Sequence, residues 1–471
     1  MTRAASQAAL SVDDAHEGSF WLDRARPEHL TAGLRKGLAS QTSTDLLIIG
    51  AGLTGLWAAI EAADQGREVL LVDAGEVGGG ASGRCGGFIN PSITHGIVNG
   101  HQRWPDAMSD ILRIQRSLWQ DTLSFLEDHN GAGTVEPVGK LVVCTRQHER
   151  DGLATMASVL TDYGEECSLL DADQAQELVN SPTYLGGLFH DSSNGLCDPV
   201  ELSWVLAVSA LERGVNMVEN APIEDLEDDG HFVRATSGRS EICARQVLLA
   251  TNAYKPLRKR LRARVIPVYD HVIVTAPLSN SQRSETGWRD KVFGITDAGN
   301  QFHYYRPTPD GRILFGGWDA TYHFGGRIDP RYEQSPATHR LLVDHLIETF
   351  PHLADVVITH KWGGPIDSTS RFTPMFDTAM GGKLGWAIGF TGLGVGASRF
   401  GAQVALDLLA GSSTERTLLP IVGKQPLPFP PEPFRWPIIQ FTKRAMQRED
   451  ELGRKGLWLS LLSRFGVGFD S

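Results

Sequence analysis

Three glycines and one acidic residue near the start of this 471-residue chain have the spacing of a dinucleotide site. Gly50, Gly52 and Gly55 form the pattern G-x-G-x-x-G, and Asp73 follows at the distance expected of its acidic partner. The first glycine allows a tight turn, the second lets a pyrophosphate approach the backbone, and the third lets a helix pack closely on a strand. A carboxylate at Asp73 would accept hydrogen bonds from ribose hydroxyls and repel a 2′-phosphate. The motif therefore predicts FAD or NAD and excludes NADP.

The elements around this motif form a compact βαβ unit. The apolar runs Leu46–Ile49 and Glu68–Val72 predict two strands, and the residues after Gly52 predict the helix between them. The N–H groups and the positive dipole end of this helix would face the phosphates. We therefore expect Ala51, Leu53 and Thr54 to bind the dinucleotide together with the three glycines and Asp73.

A second glycine-rich stretch, GASGRCGG at 80–87, follows soon after Asp73. An NAD domain would continue here into another short crossover, whereas these glycines let a second backbone segment lie along an extended ligand. Arg84 could neutralise a phosphate or fix the loop. The stretch favours FAD over NAD, and the residues predicted to contact it are Ala81, Ser82, Arg84, Gly86 and Gly87.

A third glycine-rich loop lies between an apolar strand and a helix in the stretch 385–411, with no acidic residue after it. A helix N-terminus at this loop would supply N–H donors to the negative charge that develops near N1 and the C2 carbonyl of a reduced isoalloxazine. Two distant glycine loops would then hold opposite ends of one FAD. The predicted contacts at the ring end are Gly392, Leu393, Gly394, Val395 and Gly396.

The composition narrows the function classes. Apolar residues make up 41% of the chain and charged residues 21%, as in ordinary globular proteins, and the formal net charge of -12 works against nucleic-acid binding. The five cysteines are scattered with no C-x-x-C pair, which predicts reduced thiols, a cytoplasmic protein and no structural metal. The longest uncharged apolar stretch, 46–60, is broken by glycines and is shorter than the ~18 residues of a membrane span.

Longer stretches of the chain resemble one known family, the FAD-dependent D-amino-acid oxidase and glycine oxidase superfamily. Within it, residues 300–326 and 362–376 are more similar to the gamma-glutamylputrescine oxidoreductase branch than to glycine or sarcosine oxidases. The resemblance covers about residues 19–415. It rests on the first motif with its acid and on the strings GASGRCGG, LCDPVEL (196–202), VLLATNAY (247–254), GFTGLGVGAS (389–398), NQFHYYRPTPDGRILFGGWDATYHFGG and WGGPIDSTSRFTPMF.

The resemblance implies an α/β fold, α+β overall, with a discontinuous Rossmann-like FAD domain and an inserted substrate domain on a mainly antiparallel sheet. We predict the FAD domain at 41–133, 195–262 and 363–415, the substrate domain at 134–194 and 263–362, an N-terminal extension at 1–40, and a Pro-rich connector with a helical tail at 416–471. By position, Ile223 would lie on the adenine side and Ala250 and Thr251 near the dinucleotide.

The resemblance also implies an activity: oxidation of an amine C–N bond to an imine by hydride transfer to flavin N5, followed by hydrolysis. The expected substrate is a small-molecule amine, such as a gamma-glutamylputrescine-like or other elongated amine, and O2 or an electron carrier would reoxidise the flavin; a homo-oligomer is possible. Two departures matter. Asp367 lies where related amino-acid oxidases often carry a carboxylate-binding Arg, which suits a cationic amine, and Leu393 replaces a His that many relatives have.

Four residues are candidates for catalysis: Asp367, His271, His303 and Tyr305. A His or Tyr could accept a proton from the amine. On the strand QFHYYRP alternate side chains share a face, and we expect His303 and Tyr305 to point toward the flavin while Tyr304 and Arg306 point away. Trp318 and Tyr322 could wall the same cavity, although core packing is the role that we expect of aromatic residues between glycines.

Two alternative functions stay open. An amino-acid or N-methyl amino-acid oxidase or dehydrogenase would need a carboxylate-binding arginine, such as Arg306 or Arg371. A flavin-binding protein without turnover would need none of these residues. Covalent flavin attachment at Cys85 is a further option, against a plain small residue in a glycine loop.

The proline-rich connector is followed by a helical, mixed-charge segment. We expect this segment to dock on the body of the protein or on a neighbouring subunit rather than on a membrane, because Glu449, Asp450 and Glu451 would oppose an anionic surface.

Overall fold

The computed structural model describes residues 6–191, 193–254, 256–288 and 292–468. Strands and helices are numbered here in chain order. The strands are β1 (His16–Glu17), β2 (Gln41–Ile49), β3 (Val69–Val72), β4 (Phe88–Ile89), β5 (Val135–Glu136), β6 (Lys140–Cys144), β7 (Cys167–Leu170), β8 (Gly186–His190), β9 (Gly195–Cys197), β10 (Asn216–Val218), β11 (Asp225–Asp228), β12 (Val233–Ser237), β13 (Ser240–Leu249), β14 (Val265–Thr275), β15 (Gly294–Asp297), β16 (His303–Pro307), β17 (Ile313–Gly317), β18 (Ile358–Thr369), β19 (Met375–Ala379) and β20 (Leu384–Ile388).

Helices separate many of these strands. The α-helices are α1 (Gln7–Ser11), α2 (Glu28–Gly33), α3 (Leu53–Asp64), α4 (Ile97–Arg103), α5 (Met108–Asp128), α6 (Glu149–Asp162), α7 (Ala172–Leu178), α8 (Pro199–Glu212), α9 (Lys259–Arg262), α10 (Asn280–Thr286), α11 (Pro336–Thr349), α12 (Gly394–Leu409), α13 (Pro420–Gly423), α14 (Arg435–Leu452) and α15 (Leu457–Arg464).

The first sheet contains the predicted βαβ unit. Its order is β10-β3-β2-β13-β12-β11, and β20 also pairs with β13 and with β19. Strands β10, β3, β2, β13 and β20 are parallel neighbours, whereas β11, β12 and β19 join antiparallel. All four residues of β3 are buried, as expected of a parallel strand covered on both faces. Helices α3, α8 and α12 pack together on one face of this sheet.

The second sheet has the order β1-β18-β14-β17-β16-β15-β6-β8-β7. Its pairs are antiparallel except for β1 with β18 and β15 with β6. A small sheet, β4-β9-β5, lies beside the start of α8. The predicted fold class, a Rossmann-like parallel sheet together with a mainly antiparallel sheet, is confirmed.

The predicted domain boundaries stay a prediction, and one strand crosses them: β18 runs continuously through the boundary at 362/363 and pairs with β14 along most of its length. The N-terminal segment is docked on the body, since Trp21 and Leu30 are buried and β1 extends the second sheet. None of the helices in the described ranges is long and apolar enough to cross a membrane.

Candidate active site

All three glycine loops reach one large cavity. Its volume is about 1670 Å³, well above the ~300–1000 Å³ typical of small-ligand sites. It has room for a dinucleotide and a second molecule together. The predicted cofactor residues on its wall are Gly50, Gly52, Leu53, Thr54, Asp73, Ala81, Ser82, Arg84, Gly86, Ile223, Ala250, Thr251, Gly392, Leu393, Gly394 and Val395.

The first loop has the backbone geometry that the motif predicts. Gly50 has a φ of +110°, and a Cβ on it would lie 2.4 Å from the Ala250 carbonyl oxygen. A Cβ on Gly55 would lie 1.8 Å from the Gly50 carbonyl oxygen, so only glycine allows α3 to begin this close to β2. Gly55 and Ala51 therefore lie behind the cavity wall, where they fix the turn rather than contact a ligand.

Asp73 stands at the end of β3 and faces the cavity. Its carboxylate accepts the Ala51 N–H at 2.6 Å and the Gly75 N–H at 2.7 Å, and burial raises its pKa. Each carboxylate oxygen can accept more than one hydrogen bond, so both remain available to ribose hydroxyls. This position fits the predicted role of Asp73.

The second loop is tied to the first and to the third sheet. Ser82 Oγ accepts the Leu53 N–H at 3.1 Å, which holds this loop against the N-terminus of α3. Arg84 donates to the Gly80 carbonyl oxygen at 3.2 Å, and its Nε lies 3.5 Å from a Glu333 carboxylate oxygen. A Cβ on Gly87 would lie 2.4 Å from the Cys197 carbonyl oxygen, so Gly87 packs behind the wall instead of lining it.

The third loop leads into α12, which begins at Gly394. Asp367 supports this loop: its carboxylate accepts the Gly389 N–H at 2.5 Å, and burial raises its pKa to about 6. A Cβ on Gly396 would lie 1.9 Å from the Asn90 carbonyl oxygen, so Gly396 allows α12 to pack against the loop at Asn90 and is not itself on the wall. Although Asp367 borders the cavity, its described hydrogen bonds position the loop backbone.

The expected orientation of β16 is wrong, because the cavity lies on the opposite face of this strand. Tyr304 lines the cavity, whereas His303 and Tyr305 point into the core on the other side. His303 lies 2.5 Å from Asp297 and 2.9 Å from His345 and stacks on Trp318. The Tyr305 hydroxyl hydrogen-bonds to the Tyr184 hydroxyl at 2.8 Å.

The same alternation of side chains along β14 places His271 on the face away from the cavity. On β14, Ile266, Val268, Asp270 and Val272 line the cavity. His271 points to the other side, where its Nε2 lies 3.2 Å from the Tyr332 carbonyl oxygen and burial lowers its pKa to about 4. The neighbouring Asp270, which the sequence did not single out, takes its place at the cavity.

Asp270 and Tyr304 form a hydrogen-bonded pair on the cavity wall. The Tyr304 hydroxyl donates to the Asp270 carboxylate at 2.7 Å. Burial raises the pKa of Asp270 to about 6 and also raises the pKa of Tyr304, which therefore stays protonated as the donor. The tyrosine ring lies against Gly86 and Gly316, where a Cβ would approach it to 2.6 and 2.7 Å. These glycines bring the pair next to the second loop.

The outer part of the cavity is closed by the C-terminal tail. Trp318 and Tyr322 lie on the wall, and Ile439, Met446 and Asp450 of α14 face the same space. The Asp450 carboxylate accepts the backbone N–H groups of residues 300 and 301 at 2.9 and 2.8 Å. The tail is thus part of the cavity, a role that its sequence did not indicate.

The two arginines considered for a substrate carboxylate lie outside the cavity wall. Arg306 is buried and donates to the carbonyl oxygens of Gly87 at 2.9 Å and Cys197 at 2.8 Å, so it fixes the second loop. Arg371 donates to the Lys424 carbonyl oxygen at 3.2 Å. Burial raises the pKa of Cys85 to about 11, and a protonated thiol is a poor nucleophile for covalent flavin attachment.

The wall residues fit an extended FAD. The first loop, the N-terminus of α3 and Asp73 would hold the ADP half, and the loop at Gly392–Val395 would hold the flavin end. The sequence missed the cavity-lining Asp270, Tyr304 and tail residues. The glycines at 86 and 316 make room for the ring of Tyr304, and they are the sequence feature that could have indicated its position on the wall.

Comparison with known proteins agrees with this geometry. The model of one protein family, DAO, described as FAD dependent oxidoreductase, matches residues 45–408. The chain is 26% identical over 382 residues to a probable oxidoreductase OrdL of Haemophilus influenzae, covering 78% of this chain and 83% of that protein. It is 28% identical over 393 residues to gamma-glutamylputrescine oxidoreductase of Escherichia coli, covering 80% and 86%. The crystal structure of glycine oxidase from Geobacillus kaustophilus shares its fold, with a TM-score of 0.69 at 18% identity over 82% of this chain and all of that one.

Proposed function

This chain belongs to the DAO family of FAD-dependent oxidoreductases, and from that premise we propose that it oxidises the C–N bond of an amine to an imine, which water then hydrolyses to a carbonyl compound and ammonia or a smaller amine. The proposed substrate is an elongated primary or secondary amine of the gamma-glutamylputrescine kind. An electron carrier or O2 would complete the cycle.

The observation that carries the proposal is the Tyr304–Asp270 pair on the cavity wall. A carboxylate with one fixed donor keeps lone pairs free for a cationic ammonium group. The arginines at 306 and 371, which a carboxylate-binding site would use, are engaged with backbone carbonyl groups away from the cavity. This combination favours an amine over a simple α-amino acid.

In this proposal Asp270 binds the substrate ammonium group and accepts its proton. An amine is oxidised only when the nitrogen lone pair is free, so the proton must leave before the C–H bond breaks. Burial raises the pKa of Asp270 to about 6, closer to the pKa of the substrate ammonium group. Proton transfer from the ammonium group to the carboxylate is therefore less unfavourable. Tyr304 orients the carboxylate, and the apolar residues beside it on β14 exclude water. When bound, FAD supplies the two-electron acceptor for the hydride from carbon.

The size of the cavity and the polar tail residues on its wall support an elongated substrate. The tail forms part of the wall, with Lys443, Glu449 and Arg454 among its polar side chains. The polar far end of an elongated amine could contact these groups while its amino group binds Asp270. The similarity to a gamma-glutamylputrescine oxidoreductase supports the same class of substrate.

Product analysis tests the proposal. The purified holoenzyme is incubated with gamma-glutamylputrescine, putrescine, glycine and sarcosine in the presence of an artificial electron acceptor, and the aldehyde, ammonia and amine products are quantified. We expect an aldehyde from the elongated amine and a large loss of turnover in Asp270→Asn. Turnover of glycine or sarcosine alone would support the amino-acid alternative, and Arg84, the arginine of the second loop on the cavity wall, would then be the first candidate for the carboxylate. No turnover of any amine would contradict the proposal.

A further inference from the structure

The C-terminal tail carries an unusual share of the exposed apolar surface. Seventeen large apolar side chains are exposed in the described part of the chain, and seven of them fall between residues 434 and 465. They are Phe434, Trp436, Phe441, Leu452, Leu457, Leu461 and Phe465. Leu457 is 92% exposed and Phe465 65% exposed, so these side chains are not covered by the body of the protein.

Six of these side chains lie on one face of each tail helix, whereas Trp436, two residues after Phe434, points to another side of α14. Phe434 at the N-cap of α14 and Phe441 and Leu452 on the helix are spaced by seven and eleven residues, which places them on one side of it. The cavity-lining Ile439 and Met446 point in another direction, and Ile438 lies between the two sides. On α15, Leu457, Leu461 and Phe465 follow at intervals of four. The two helices are in contact, since the ring of Phe441 lies edge-on to the ring of Trp458 with the ring centroids 5.4 Å apart. We call these two faces together the outer face of the tail.

The tail as a whole is also basic. Residues 434–465 contain seven Lys and Arg against three Asp and Glu, in a chain whose formal net charge is -12. Arg435 is buried and Lys443, Arg454 and Lys455 line the cavity, whereas Arg444, Arg448 and Arg464 are exposed away from it. Two of the three consecutive acids that argued against an anionic partner are turned inward: Asp450 is buried, and Glu449 accepts the Asn300 side-chain amide at 3.1 Å. Glu451 is exposed.

We infer that the outer face of the tail docks the enzyme on an anionic phospholipid surface. An amphipathic helix with Leu and Phe on its apolar side and flanking Arg residues lies in the plane of a membrane interface, where apolar burial and attraction to anionic headgroups add. A second copy of the chain fits less well, because a two-fold contact would bring the same arginines face to face. The inference is independent of the proposed amine oxidation.

Vesicle sedimentation tests this inference on the FAD-loaded full chain. We expect binding to vesicles of phosphatidylglycerol and phosphatidylcholine in equal parts, weak binding to phosphatidylcholine alone, and release by salt. The variant Leu457→Glu/Leu461→Glu/Phe465→Glu removes the apolar part of the outer face, and Arg444→Glu/Arg448→Glu removes charge. Each should weaken binding roughly tenfold or more, because both attractions are needed.

A matched control and a second measurement decide the remaining outcomes. Leu169→Glu/Phe232→Glu changes apolar side chains that are 53% and 41% exposed elsewhere on the molecule, and it should bind vesicles like the unchanged enzyme. The flavin spectrum and turnover of all variants should stay unchanged, which separates this inference from the amine proposal. Failure of the unchanged enzyme to bind anionic vesicles would overturn the inference. So would a dimer in light scattering without vesicles that the outer-face variants dissociate.

Discussion

Removing one hydroxyl, in Tyr304→Phe, tests how the protein holds the proton acceptor of the proposed reaction. The hydroxyl donates to the Asp270 carboxylate at 2.7 Å and thereby lowers a pKa that burial has raised to about 6. A hydrogen bond to a charged group contributes about 1.5–3 kcal/mol, and one pKa unit corresponds to about 1.4 kcal/mol. Loss of this hydrogen bond in Tyr304→Phe should therefore raise the pKa of Asp270 by about one to two pH units.

The pH dependence of kcat/KM reports this change. The active carboxylate is lost as the pH falls through the pKa, so the acidic limb of the profile should lie near pH 6 in the unchanged enzyme and at roughly pH 7 to 8 in Tyr304→Phe. Asp270→Asn should remove this limb and most of the activity. The profile is measured by the rate of flavin bleaching after anaerobic mixing with the amine.

Tyr305→Phe is the matched control, because it removes a hydroxyl from the next residue of the same strand on the face away from the cavity. Its profile should overlay that of the unchanged enzyme. An acidic limb that does not move in Tyr304→Phe, or that moves equally in Tyr305→Phe, would refute the assignment of the proton acceptor to Asp270.

Three further predictions concern the cofactor and the tail. Gly55→Ala places a Cβ 1.8 Å from a backbone oxygen that cannot move away, so the purified protein should lack FAD, whereas Gly152→Ala on α6 meets no atom within 4 Å and should keep it. Asp73→Ala removes the carboxylate that faces the ribose, and titration of the apoprotein should show FAD affinity roughly ten- to a hundredfold weaker; equal affinity would contradict this role. Asp450→Ala frees α14 from residues 300 and 301, so limited proteolysis should cut the tail faster and KM should rise more than kcat falls.

The parts of the site that follow from backbone requirements could be predicted from the sequence. The close approaches at Gly50 and Gly55 leave no room for a side chain, so the motif itself encodes the turn and the place of Asp73. Backbone requirements of this kind do not show which face of a strand lines the cavity. The alternation in β14 and β16 told which residues share a face, but the side that faces the cavity depends on how the second sheet packs against the loop at Gly86.

The tail could not be placed for a related reason. Its helices carry apolar side chains on more than one side, and the sequence does not show which side packs against the body of the protein. The hydrogen bonds of Asp450 and Glu449 to the loop at 300 and 301 show that most of the acidic side faces the protein. A mixed-charge sequence therefore folds into a segment whose exposed side is largely basic.

The central claim is that one cavity holds FAD along its length and presents an amine to it beside Asp270. Anaerobic titration of the purified protein with gamma-glutamylputrescine, followed by the absorption spectrum, tests this most directly. We predict a yellow protein whose flavin bands bleach completely on addition of about one equivalent of amine, since one amine delivers the two electrons that one flavin accepts. A colourless protein that takes up no FAD on reconstitution, or a yellow one that no amine bleaches, would contradict the account.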